Sequence, residues 1–214
     1  MTRRYYLLQL FLIAGVLAAI IVVYPQLPSR VATHWGVNMR PNGYSAKSTL
    51  FLLGSGLMTA ILLFGALLPW LSPKQFEVDS FRSTYLQVIL IMQSMMAYVM
   101  AVILWGDSGH RIDEGRGVVG GLCLTFALMG NLMGKVRRNF FIGVRTPWTL
   151  ANERVWYTTH RFAAKTFVAG GLLGLALTYF GPRRGPILAL LAAGLAPVVY
   201  SLILYKRLQR RGEL

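Results

Sequence analysis

The sequence has few charged residues, very few acidic ones and a single cysteine. Only 14% of its 214 residues are charged, and 7 acidic residues stand against 22 lysines and arginines. Cys123 alone cannot form an intrachain disulfide or a metal site built from several thiolates. The basic residues lie in short clusters between long uncharged runs, whereas a nucleic-acid-binding domain presents a continuous basic face. We therefore expect no direct nucleic-acid partner.

Long hydrophobic runs take the place of those charges, since 55% of the residues are apolar. A helix needs about 17 to 25 mostly apolar residues to cross roughly 30 Å of hydrocarbon. Six stretches meet this requirement, at about 5–24, 50–71, 85–105, 118–134, 163–180 and 186–205. The sequence predicts an all-α polytopic membrane protein with six transmembrane helices, forming a single membrane domain over residues 1–214.

The distribution of lysine and arginine predicts the orientation of these spans. Cytoplasmic loops of membrane proteins carry the excess of basic residues. The amino terminus, the loops after the second and fourth spans and the tail hold about 14 of them, and the other three loops hold about 7. We therefore expect both termini in the cytoplasm, where the basic loops would contact anionic membrane lipids.

Small and polar residues within the spans predict how the helices pack. Membrane helices approach closely where small residues recur four apart. The pairs are Gly117 with Gly121, Gly130 with Gly134, and Gly170 with Gly174, so the fourth and fifth spans are expected at the centre. Four polar residues in the spans should face protein or water, because facing lipid is costly: Gln87, Gln93, Ser94 and Asn131.

The first outer loop, residues 25–49, has a pattern of its own. Residues 29–36 alternate in the manner of a β-strand, and the sequence Arg40-Pro41-Asn42-Gly43 predicts a type I turn. We expect a short hairpin lying on the membrane. Trp35 and Tyr44 could serve there as ordinary interfacial anchors.

The inner loop, residues 135–162, is aromatic and apolar but too short to cross the membrane. Gly143 permits a turn, and Pro147 disfavours helical angles at Thr146. Asn152 is a suitable N-cap for a helix that continues through His160 into the fifth span. The simplest interpretation is an amphipathic loop that lies in the interface or folds back into the bundle.

Residues 139–165, which include Ile-Gly-Val-Arg-Thr-Pro-Trp-Thr-Leu, closely resemble the signature of the SdpI family of bacterial membrane immunity proteins. Residues 34–44, His-Trp-Gly-Val-Asn-Met-Arg-Pro-Asn-Gly-Tyr, are similar to the pattern that accompanies the family's first two spans. The resemblance implies a multi-pass protein of the bacterial plasma membrane that confers resistance to a secreted antimicrobial peptide toxin. It also implies a small repressor protein that is sequestered at the cytoplasmic face.

The resemblance also implies where ligands would bind. Arg145, Thr146, Pro147 and Trp148 would lie at the cytoplasmic functional surface. The candidate binding residues of the inner loop are Asn139, Gly143, Arg145, Thr146, Pro147, Trp148, Thr149, Trp156, His160 and Arg161. Those of the outer loop are His34, Trp35, Pro41, Gly43 and Tyr44, with the toxin expected on this outer face. No catalytic residue, metal ligand or cofactor is predicted.

Two other functions remain open from the sequence. A membrane-embedded hydrolase could hold zinc through outer-loop residues, although no His-Glu-x-x-His spacing is present; these residues are His34, His110, Asp107, Asp113 and Glu114. A small-molecule or peptide transporter could use Gln87, Gln93 and Asn131 as a polar wall. The spans carry no charge near their middle, which argues against a proton-driven or ion-driven path.

Overall fold

The computed structural model describes residues 2–214, without the side chain of Gln75. The elements, in chain order, are α1 (Thr2–Val23), β1 (Arg30–Trp35), β2 (Pro41–Ala46), α2 (Thr49–Leu71), α3 (Arg82–Asp107), α4 (Glu114–Met133), α5 (Pro147–Ala151), α6 (Glu153–Phe180) and α7 (Gly185–Arg210). Short 3-10 turns lie at Tyr24–Gln26, Lys74–Phe76 and Val78–Phe81.

Within the described residues, 6 helices are long and apolar enough to cross a bilayer, namely every one except α5. The predicted all-α membrane architecture is confirmed. With six spans, the two chain ends lie at the same end of the bundle, which we call the termini side. The opposite end, which carries β1 and β2, is the hairpin side.

The fifth transmembrane helix is longer than the span that its hydropathy predicts. The predicted span, at 163–180, is only the apolar part of α6, which begins at Glu153. The predicted N-cap is confirmed, since Asn152 Oδ1 accepts a hydrogen bond from the Val155 amide at 3.1 Å. Residues 153–162 of the predicted inner loop are therefore helical, and the irregular segment ends before them.

The predicted hairpin is confirmed, but the expected position of its turn is wrong. β1 and β2 are antiparallel, and Trp35 pairs with Pro41. The chain reverses at residues 36–40, where the Met39 amide donates to the Gly36 carbonyl at 2.8 Å and Met39 has a φ of 57°. Pro41 opens β2 instead of sitting in the turn, because a proline at the first residue of a strand removes no ladder bond from its interior.

The first three transmembrane helices pack together near the hairpin side. Their buried side chains form one cluster with two residues of the outer loop: Val16, Ile20, Leu27, Val31, Leu50, Met58, Met100, Ile103 and Leu104. α2 contains a π-helical turn at Leu52–Gly56, and Gly54 lies within it. A Cβ on Gly54 would lie 2.9 Å from Ile20 Cδ1, so the turn brings the backbone of α2 directly against α1.

α6 lies at the centre of the second half of the bundle, where it packs on both α4 and α7. A Cβ on Gly171 would lie 2.6 Å from the Cys123 carbonyl oxygen, and one on Gly130 would lie 2.7 Å from the Val168 amide nitrogen. The predicted close packing between the fourth and fifth spans is therefore confirmed. Gly134, in contrast, has open space around it and makes no close helix contact. Gly171, which does make one, was not among the predicted pairs.

The polar residues of the spans divide into two groups. Gln93 is buried and donates to the Met58 carbonyl at 2.8 Å, and Gln87 donates to the Tyr5 hydroxyl at 3.2 Å. Ser94 and Asn131 are exposed, so of the four only Gln87 and Gln93 face protein. Asn131 lies in the last turn of α4, close to the end of the span, and Ser94 lines an open groove between α3, α4 and α6.

Candidate functional site

Residues 135–152, which we call the signature loop, connect α4 to α6 on the termini side. Asn139 is fully buried and organises the first part of this loop. Its Oδ1 accepts hydrogen bonds from the amides of Phe141 at 2.7 Å and Ile142 at 2.8 Å. Its Nδ2 donates to the carbonyls of Arg137 at 2.7 Å and Ile142 at 3.1 Å. All hydrogen-bonding capacity of the amide is thus used to hold a tight turn.

The middle of the signature loop is fastened to α6 by His160. The buried imidazole accepts a hydrogen bond at Nε2 from the Val144 amide, 3.0 Å away, and Nδ1 lies 2.8 Å from the Trp156 carbonyl oxygen. An amide can only donate and a carbonyl can only accept, so Nδ1 carries the proton and the ring is neutral. His160 therefore acts as a structural crosslink between loop and helix.

Trp156 and Gly143 complete this arrangement. The Trp156 ring stacks on His160 with ring centroids 4.0 Å apart, and its indole N–H donates to the Val136 carbonyl at 2.9 Å. Gly143 has a φ of +112°, and a Cβ there would overlap His160 Nε2. Glycine is needed at this position for both its backbone angle and its lack of a side chain.

The Thr-Pro-Trp-Thr segment forms α5 and its cap. The Thr146 amide donates to Thr149 Oγ1 at 2.9 Å, and the Thr149 amide donates back to Thr146 Oγ1 at 3.3 Å. This reciprocal pair is a capping box, with Pro147 at the first helical position, where no amide donor is needed. The Trp148 indole donates to Ser201 Oγ at 2.6 Å, which ties α5 to α7.

The candidate residues of the inner loop therefore fall into three classes by their exposure. Asn139, Thr149, Trp156 and His160 are buried, and their contacts are internal. Arg145, Pro147 and Arg161 are exposed, and Arg145 Nη1 contacts the Phe140 carbonyl. Gly143, Thr146 and Trp148 are half-buried, so Arg145, Pro147 and Arg161 are the candidates most open to a partner.

Arg138, which was not among the candidates, braces the signature loop from the side. Its guanidinium donates to the Leu150 carbonyl at 3.1 Å, lies 3.5 Å from a Glu153 carboxylate oxygen and covers the Phe76 ring. The sequence signal for Arg138 was the basic run after the fourth span, which equally fits simple headgroup contact. The structure shows that it joins three separate segments.

The candidate residues of the outer loop do not form one site. His34 and Trp35 line a cavity of about 320 Å³ between the hairpin and α3, α4 and α7. The Trp35 indole nitrogen is buried there without a hydrogen-bond partner among the described residues. Gly43 lies opposite His34, where a Cβ would approach the His34 Cβ to 2.9 Å.

Pro41 and Tyr44 line a different and larger space, which we call the hairpin cavity. Its volume is about 590 Å³, and it lies between β1, β2, the loop joining α3 to α4, and the turn joining α6 to α7. Six charged side chains line it: Arg40, Asp107, Arg111, Asp113, Glu114 and Arg183. Arg183 was not among the candidates, because nothing in the sequence indicates that residues 38, 113 and 183 meet.

Of the residues proposed for a zinc site, the three carboxylates line the hairpin cavity but the two histidines do not. His34 Nδ1 lies 2.5 Å from Asn42 Oδ1, and His110 stacks on Trp105 with ring centroids 3.8 Å apart. Among residues 2–214, no three histidine, cysteine or acidic side chains are placed to hold a metal ion. The polar wall proposed for a transporter is likewise divided, since Gln87 and Gln93 are bonded within the bundle whereas Asn131 is exposed.

Comparisons with known proteins match both ends of the chain. Residues 135–205 match the sequence model of the SdpI/YfhL protein family. The immunity protein SdpI of Bacillus subtilis (strain 168) is 24% identical over 185 residues, which cover 86% of either chain. The resemblance to the SdpI family is confirmed. Residues 10–59 match a second family, a domain of unknown function called DUF1648. No solved structure matches the chain.

The two family matches cover different elements of the structure. The SdpI match covers the signature loop, α6 and most of α7, so the family signature coincides with the buried Asn139, Trp156 and His160 contacts. The DUF1648 match covers most of α1, the hairpin and the first part of α2. The hairpin cavity lies where these parts meet, and its residues 107–115 belong to neither match.

Proposed function

We propose that this multi-pass membrane protein is an immunity protein that protects a bacterium from a secreted antimicrobial peptide toxin. The observation that carries the proposal is its similarity to immunity protein SdpI along 86% of both chains. The signature loop supports it, since its matched residues form one hydrogen-bonded unit joined to α4, α6 and α7. The relative is named as an immunity protein and not as an enzyme, so we propose a function without catalysis.

The proposal assigns the two ends of the bundle to the two sides of the plasma membrane. The termini side carries the signature loop and the greater share of basic residues, which favours a cytoplasmic position. The hairpin side would then face outward, where a secreted toxin arrives. The exposed residues Arg145, Pro147 and Arg161 would be available to a small repressor protein in the cytoplasm.

Protection and repressor binding can be linked only if the bundle has two arrangements. A toxin shifts the balance between them only if it binds one better than the other. The hairpin turn packs on α4 and α7 through Met39, and the signature loop bonds to the same two helices at their other ends. These helices are the physical connection through which binding on one side would change the surface on the other.

Thiol labelling of intact cells tests the orientation. The native Cys123 is buried, so the unchanged chain should not react with a membrane-impermeant maleimide. We expect Val37→Cys, in the exposed hairpin turn, to be labelled in intact cells, and Arg210→Cys, at the end of α7, to be labelled only after permeabilisation. The reverse pattern would place the termini outside and contradict the assignment.

Expression in a Bacillus subtilis strain that lacks its own SdpI tests immunity. The cells would be challenged with increasing doses of the secreted toxin that this strain no longer tolerates. We expect the chain to raise the tolerated dose at least tenfold, and we expect Arg145→Ala to remove that protection without lowering the amount of protein in the membrane. Arg210→Ala, at another exposed arginine on the termini side, is the matched control.

Two outcomes would contradict these expectations. If cells with the unchanged chain die at the same dose as cells with an empty vector, immunity to this toxin is excluded. If Arg145→Ala protects as well as the unchanged chain, the signature loop has a packing role only, and the proposed contact surface at Arg145 is wrong.

A further inference from the structure

The hairpin cavity contains charges of both signs, and only some of them are paired. Arg183 lies 3.2 Å from an Asp113 carboxylate oxygen and donates to the Asn38 carbonyl at 3.3 Å. Asp113 also lies 3.5 Å from Arg116 and accepts the Arg116 amide at the start of α4. These contacts neutralise Asp113 and Arg183 and fix the wall of the cavity.

Asp107 and Glu114 have no such ionic compensation. In the part of the chain that the structure describes, neither carboxylate forms an ion pair. Asp107 Oδ2 is buried without a hydrogen-bond partner, and both side chains are half-buried in the cavity wall. The backbone of Ala32 gives Asp107 one hydrogen bond, but no cation balances either carboxylate. A carboxylate removed from water costs free energy unless a proton, a cation or a donor compensates it. Two of them therefore form a position that a ligand cation would stabilise.

Glycines on both sides keep these carboxylates in place. The Glu114 carboxylate lies over Gly106 in the last turn of α3, where a Cβ would overlap it. Gly115, the next residue of α4, meets the Met39 carbonyl so closely that a Cβ there would also overlap. The hairpin thus closes directly over the start of α4, and the carboxylates are held in a wall of fixed shape.

The geometry favours an organic cation over a metal ion. No three acidic or histidine side chains of residues 2–214 converge tightly enough for metal coordination. The cavity, of about 590 Å³, is instead in the size range of pockets that enclose small organic ligands. Arg40 and Arg111 are exposed at the cavity and form no ion pair with described residues. Their guanidinium groups favour a ligand that also carries carbonyl or carboxylate oxygens.

We propose that the hairpin cavity binds a lysine or arginine side chain of an extracellular peptide between Asp107 and Glu114. Arg40 and Arg111 contact the oxygens of the same peptide. Much of the lining comes from the hairpin and from the loop after α3, beyond the ends of the spans, so the cavity is reached from water. The identity of the peptide as the toxin rests on the proposed immunity function, whereas the binding chemistry does not.

Direct binding to two matched peptides tests this site. The full chain would be placed in nanodiscs of phosphatidylcholine and phosphatidylglycerol and titrated with acetyl-Ala-Ala-Lys-Ala-Ala-amide or with the same peptide carrying glutamine for lysine. We expect saturable binding of the lysine peptide only. The double variant Asp107→Asn/Glu114→Gln keeps the shapes and removes the charges, so it should bind the lysine peptide at least tenfold more weakly.

The control is the double variant Glu77→Gln/Asp79→Asn, which removes two exposed carboxylates on the termini side. It should bind the lysine peptide within twofold of the unchanged chain. The Asp107→Asn/Glu114→Gln protein should also unfold at the same temperature as the unchanged chain or a higher one, because it loses unpaired carboxylates. Weaker binding with retained stability therefore reports the site and not the fold.

Three results would overturn the proposal: equal binding of the two peptides, no binding of either, or unchanged binding by Asp107→Asn/Glu114→Gln. Displacement of the lysine peptide by phosphatidylethanolamine in the nanodisc would assign the site to a lipid ammonium and would overturn it as well. The toxin challenge of cells is independent of this titration. Binding without protection would refute the immunity function alone, and protection without binding would refute this site alone.

Discussion

Replacing Gly143 by alanine is expected to abolish protection, because the signature loop can no longer dock on α6. The backbone at Gly143 has a φ of +112°, and the new Cβ would overlap His160 Nε2, which accepts the Val144 amide. The substitution therefore adds backbone strain of about 1 to 3 kcal/mol. It also breaks a buried hydrogen bond, whose loss costs about 1 to 3 kcal/mol more. The loop should open while the spans stay folded.

Limited trypsin digestion of inside-out vesicles would measure this opening. Cleavage after Arg137, Arg138 and Arg145 should become rapid in the Gly143→Ala protein. Gly134→Ala is the matched control, because Gly134 flanks the same loop but has an ordinary φ of −66° and open space around it. The control should protect cells and resist trypsin as the unchanged chain does. Equal digestion of the two variants would refute the role assigned to the His160 contact.

Replacing Gly171 by leucine is expected to prevent α4 and α6 from packing. A Cβ at Gly171 would lie 2.6 Å from the Cys123 carbonyl oxygen and the Ala127 amide nitrogen. Both are backbone atoms of α4, so no side-chain rotation relieves the overlap and the two helices must separate. We expect a loss of about 3 kcal/mol or more in the free energy of unfolding, at the upper end for overpacked cores. Little monodisperse protein should be recovered in detergent.

Gly15→Leu provides the control for this substitution. Gly15 lies on α1 beside an open groove between α1 and α3, and a Cβ there would have no neighbouring atom within 4 Å, so leucine at this position meets no backbone. Thermal unfolding followed by size-exclusion chromatography should give the same midpoint for Gly15→Leu and the unchanged chain. A Gly171→Leu protein that is recovered and unfolds like this control would show that α4 and α6 do not approach so closely.

The transmembrane architecture could be predicted from the sequence because each span carries its signal locally. A run such as residues 186–205 is long and apolar enough to identify a span without knowledge of its neighbours. The hairpin was also predictable from alternation, but its turn was not. The pattern of Pro41, Asn42 and Gly43 is a strong turn signal, whereas the turn uses Met39 at a positive φ, which side-chain identity does not favour.

The roles of the site residues could not be predicted, because they depend on contacts between distant positions. The resemblance drew attention to Asn139, Trp156 and His160 but did not indicate that they face inward. His160 meets the Val144 amide across sixteen positions of chain. The hairpin cavity requires Asp113 and Arg183 to meet across 70 positions, which no local pattern encodes. Which of these side chains are buried and which are paired can therefore be read only from the three-dimensional structure.

The seating of the hairpin on the start of α4 ties the two halves of the bundle together on the hairpin side. Met39 rests on Gly115 through backbone contact, and Arg183 reaches the Asn38 carbonyl from the turn between α6 and α7. The turn of the hairpin thus connects the first pair of spans to α4 and to the last pair. A relative tilt of the two halves would therefore have to break these contacts first.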